Sequence, residues 1–104
     1  MIIIDLSLKN ESLYSGCEIE TVAGRMNLVT PIAEAIEVIG ENISTFLESV
    51  PGTDRNVVTL TGPMAVWAYL IVFHAVVHLF REVKYNDGRG EDILIARHGH
   101  SFMS

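Results

Sequence analysis

Apolar residues come in blocks along this chain, and their spacing changes from block to block. The opening run MIIIDLSL is β-branched and apolar on both faces at its start, which predicts a strand in the middle of a sheet. CEIETVA, residues 17 to 23, fits either a short strand or a loop. From 30 to 50 the period lengthens: Ile32, Ala35, Ile36, Ile39, Ile43, Phe46 and Leu47 share one face of a helix, with Thr30 as N-cap, Pro31 at the first helical position and Gly40 as a mild interruption. PGTDR punctuates the chain, and NVVTLTG reads as a further strand. REVKY and DILIAR form a closing hairpin around NDG.

Residues 63 to 80, PMAVWAYLIVFHAVVHLF, are the most apolar stretch. A membrane span is the rival reading, but the stretch is at the short limit and carries two histidines in its inner half. The preferred reading is a helix begun by Pro63 and covered on most sides by the sheet and a neighbouring subunit. The order β-(β)-α-β-α-β-β implies one α/β domain over residues 1–104, a mixed sheet covered by two helices, with 101–104 a disordered tail.

Composition narrows the function. The chain is 49% hydrophobic and 104 residues long, a size at which a second subunit often covers apolar patches, so a homo-oligomer is expected. One cysteine, Cys17, excludes an internal disulfide, and no secretory leader pattern opens the chain, so a cytoplasmic location is expected. The net charge of -6 argues against a general grip on DNA or long RNA. Residues 1 to 80 hold nine Asp/Glu against Lys9, Arg25 and Arg55, whereas residues 81 to 104 are balanced. If an anion binds anywhere, it is therefore expected near the C-terminal end.

His74 and His78 lie four apart and would share a helix face, so they can be a metal pair or ordinary packed histidines. Asp87 and Arg89 flank Gly88 at the hairpin turn. They can be solvated turn residues, or a carboxylate for a divalent cation and a guanidinium fork for a phosphate. His98 ends the returning strand, and His100 lies in the tail. A hairpin returning from 91 to 97 brings His98 back beside His78 and leaves Asp87 and Arg89 at the far end, on the order of 15 to 20 Å away. One chain does not easily bring all four groups to one phosphate, whereas a head-to-tail assembly places the turn of one subunit against the histidine end of another.

TGP before a Trp-containing apolar helix, followed by His78, YND, Arg89 and ILIARH, resembles the small type III CRISPR accessory proteins of the Csx-three family, regarded as ring nucleases. The resemblance covers about residues 57 to 100. His78, Asp87, Arg89 and His98 reproduce the family's functional spacing without a gap, and His74 matches only as an accessory, one residue out of step. Gly88 stands where the family has proline, implying a looser turn, and the helix from TGP to His78 is longer by about a turn.

The resemblance implies a small ferredoxin-like or distant CARF-like domain that cleaves cyclic tetra-adenylate and so switches off CRISPR signalling. It further implies Mn²⁺ as cofactor, Asp87 and His78 as its ligands, Arg89 on the phosphate, and a ring sandwiched between head-to-tail subunits of a dimer or tetramer. Which of His78 and His98 is base, acid or ligand stays open. So do a metal-dependent RNA 3′ exonuclease and a non-catalytic sensor of the same messenger.

Overall fold

The computed structural model describes residues 2–97. A four-stranded mixed sheet has the order β1-β4-β5-β6, built from β1 (Ile2–Asp5), β4 (Val57–Thr61), β5 (Glu82–Asn86) and β6 (Ile93–Arg97). β1, β4 and β5 are parallel, and β6 returns antiparallel to β5. Helix α1 (Ile32–Glu48) leads into β4, and α2 (Val66–Val77) joins β4 to β5. Three adjacent parallel strands are the arrangement of one half of a doubly wound sheet. In the split β-α-β of ferredoxin-like folds another strand separates the parallel pair.

The helices pack on each other and on one face of the sheet. α1 turns Ala35, Ile39, Ile43 and Leu47 inward at every fourth position, and α2 does the same with Ala68, Val72 and Val76. From the sheet, Ile4, Val58, Leu60 and Val83 complete the core. Each fully buried aliphatic side chain contributes about 1.5–3 kcal/mol against exposure. Two contacts close the lower-order segments onto this core. The buried Tyr14 hydroxyl donates to the Leu6 carbonyl, and Asn42 Nδ2 donates to the Leu13 and Ser15 carbonyls at 2.8 Å each. Burial is the main reason the Tyr14 phenol is pushed well above its ordinary pKa, with the nearby Asp5 carboxylate adding to it.

The expected mixed sheet under two helices is present, with differences that have physical causes. β1 is an edge strand, not a central one: Ile3 is 61% exposed on the face away from the helices. Residues 17 to 30 fold as a separate hairpin, β2 (Ile19–Val22) with β3 (Arg25–Leu28), which does not join the main sheet. Thr30 does not cap α1; its hydroxyl accepts the Glu18 N–H at 2.7 Å, and Pro31 takes the N-cap position. α2 begins three residues after Pro63, so the extra turn anticipated between TGP and His78 is absorbed by a non-helical segment. Among the described residues, no helix is long and apolar enough to cross a membrane.

Candidate functional site

The parallel strands end together. The register aligns Asp5 of β1 with Thr61 of β4, and Thr61 with Asn86 of β5, so three polar side chains stand in a row at the carboxyl end of the sheet. This is the end at which open α/β sheets hold ligands. Asp5 is fixed by Ser7, whose N–H and Oγ–H donate to its two carboxylate oxygens at 2.8 and 3.0 Å. Thr61 Oγ1 donates to the Asn86 carbonyl at 2.8 Å. Gly62 follows with φ +101°, pressed against Asp5 and the backbone of Leu6 and Ser7, and the Tyr69 hydroxyl donates to its carbonyl. Burial, then Tyr85 and Asp5, push the Tyr69 phenol up to about 12, so it remains a donor. Tyr69 and Tyr85 meet edge to face at 5.4 Å.

Asp87 and Arg89 extend this end of the molecule on the β5–β6 turn, and Asn86 organises it. Its Nδ2 donates to Asp92 Oδ1 at 2.8 Å and to the Gly90 carbonyl at 3.1 Å, while its Oδ1 accepts the Gly88 N–H at 2.7 Å. Asp87 Oδ1 accepts the Arg89 N–H at 2.8 Å. The turn is thus tied rather than loose. Gly88 has φ +88°, which proline's ring forbids, so this loop follows a path that a proline at 88 cannot take. Asp87 and Arg89 are both exposed, and the Arg89 guanidinium makes no ion pair among the described residues. The neighbourhood is acidic, with Asp5, Glu91 and Asp92 as well as Asp87.

The histidines occupy the opposite end. His74 is exposed on α2, and His78 follows the helix's last residue, four residues before β5 begins. Their rings meet edge to face with centroids 6.2 Å apart. The five-residue strand β5 separates His78 from Asp87, a span on the order of 15 to 20 Å. Arg97 sits at the histidine end and pairs with Glu82 at 3.2 Å. His98, His100 and the tail 101–104 lie outside the described residues.

One chain therefore brings Asp87 to Arg89 and His74 to His78, and keeps the two pairs apart. Asp87 and His78 of one chain do not fit a single Mn²⁺ ion, and no group of three or more His, Cys, Asp or Glu converges as a metal site among the described residues. The row formed by Asp5, Thr61 and Asn86 went unread in the sequence because it exists only through strand register. The one available signal was that each of the three closes a β-rich run. Compared with known proteins, the chain matches no family model, no curated protein and no solved structure.

Proposed function

We propose that this protein is a phosphodiesterase that opens cyclic tetra-adenylate, with the site completed between copies of the chain. The observation that carries the reading is the exposed, hydrogen-bonded turn presenting Asp87 and Arg89 at the carboxyl end of the sheet, with His78 exposed at the other end. That separation supports a site whose halves come from different copies. The resemblance in spacing of His78, Asp87, Arg89 and His98 supplies the reaction class.

The chemistry asks little of the protein. RNA carries its own nucleophile, so the 2′-hydroxyl attacks the adjacent phosphorus in line and the bond to the 5′ oxygen breaks. Arg89 holds the non-bridging oxygens as charge grows on them. A histidine takes the hydroxyl proton or returns one to the leaving oxygen. Asp87 accepts the Arg89 backbone N–H and so fixes the turn from which the guanidinium projects. The acidity around Arg89 means that a phosphate needs more positive charge than this turn supplies, and the histidine end of a second copy, with Arg97, is a source of it.

The test is incubation with cyclic tetra-adenylate, with Mn²⁺ and separately with chelator, followed by chromatography. Linear products are expected, lost in Asp87→Ala and in His78→Ala, and recovered when the two variants are mixed. An intact ring refutes the reading. Tight binding without cleavage identifies a sensor, and preferential trimming of linear RNA from its 3′ end identifies an exonuclease.

A further inference from the structure

The outer face of α2 and the edge strand β6 form one apolar surface. Leu70 and Phe73 face Ile95 across a groove of about 180 Å³, floored by Leu60, Val83 and Tyr85. Val66 lies one turn before Leu70 on the same helix face. Exposure on this face is 72% at Val66, 62% at Leu70, 51% at Ile93 and 52% at Ile95, and Leu94, paired with Lys84, is 43% exposed on the opposite face of the strand. β6 is an edge of the sheet, so alternate backbone groups along it face outward. Edge strands are commonly blunted by lysine or proline, and residues 93 to 96 contain neither.

The charges on this strand indicate what covers it. Glu91 and Asp92 precede it, and Arg97 ends it. Among the described residues Arg97 pairs through Nε alone, with Glu82, and its terminal nitrogens make no bond to another described residue. A strand acidic at one end and basic at the other matches itself when reversed. We propose that β6 pairs antiparallel with β6 of a second copy, centred near Leu94, with α2 packed on α2. The sheet then continues through both copies, and Arg97 of each lies beside Glu91 and Asp92 of the other. Val66, Leu70, Ile93 and Ile95 offer on the order of 400 Å² per copy, about half of the roughly 800 Å² per partner at a standard interface, and Leu94 is covered from the other face by the paired strand. This surface stands independently of the reaction proposed above.

The experiment combines mass in solution with a cross-link. Light scattering across a dilution series is expected to show a dimer for the wild type, and a monomer for Leu70→Lys and Ile95→Lys with unchanged circular dichroism. Both positions are exposed, so neither change opens the core. In a Cys17→Ala background, Leu94→Cys is expected to form an intermolecular disulfide, because paired antiparallel strands set opposed Cα atoms about 4.5–5.5 Å apart. Ile3→Cys at the other sheet edge is expected to form none. A monomeric wild type overturns the proposal, as does a dimer that survives both lysine variants. Cross-linking through Ile3→Cys instead of Leu94→Cys also overturns it.

Discussion

Replacing Gly62 by alanine tests the construction of the carboxyl end of the sheet. A Cβ at this position would overlap Asp5 Oδ1 and fall 2.8 Å from the Ser7 nitrogen and 3.1 Å from that of Leu6. The carboxylate can swing away only by giving up the bonds from Ser7, and the two backbone nitrogens cannot swing at all. The φ of +101° adds a second cost, about 1–2 kcal/mol for a residue with a Cβ. Losing a hydrogen bond to a charged acceptor costs about 1.5–3 kcal/mol. Together these give roughly 2.5–5 kcal/mol, or a fall in Tm of roughly 10–40 °C at about 4–8 °C per kcal/mol. Urea unfolding followed by Trp67 fluorescence and circular dichroism measures it. Adding Asp5→Ala should recover part of the loss, because it removes the carboxylate from the clash but leaves the Ser7 and Leu6 nitrogens in place. A Gly62→Ala protein within about 1 kcal/mol of wild type would refute the reasoning.

Arg55 donates to the Leu47 carbonyl at 2.7 Å and the Val50 carbonyl at 3.2 Å, closing the C-terminal end of α1. Arg55→Met is expected to cost about 1–3 kcal/mol in urea unfolding, since orphaned helix carbonyls and a lost cation at the negative pole act together. Tyr69 is held protonated to about pH 12, whereas a free tyrosine ionises near 10. The unfolded chain loses this proton first, so the stability the phenol contributes is present below pH 10 and is lost as pH rises toward 12. Tyr69→Phe should flatten that part of the alkaline stability profile; an unchanged slope would contradict the assignment.

The elements were legible wherever one chemical rule governed a segment. The four-residue stripe of Ile39, Ile43 and Leu47 marked α1, and NDG marked the turn that carries Asp87 and Arg89. Legibility failed where the answer depended on a second segment. Ile2, Ile3 and Ile4 read as a central strand because the sequence does not say whether another strand lies beyond them. Thr30 has the chemistry of an N-cap, but the Glu18 N–H reaches its hydroxyl first. β2 and β3 lack a strong alternation because their hairpin is largely exposed on both faces. At the site, the separation of His78 from Asp87 followed from hairpin arithmetic. The tight seat of Gly62 required the register of β1 against β4.

The strand order also bears on how the molecule is made. β4, α2, β5 and β6 are consecutive in the chain and pair with their immediate successors, so this unit closes with short loops. β1 is different: Ile2 waits for Val58, more than half the chain away. Loop-closure entropy therefore places the docking of β1 late in folding. During synthesis its isoleucine run emerges well before β4 and stays unpaired until β4 follows. β1 is thus exposed to mispairing until its partner arrives, and a folding-rate series should find Ile4→Val acting on unfolding far more than on folding.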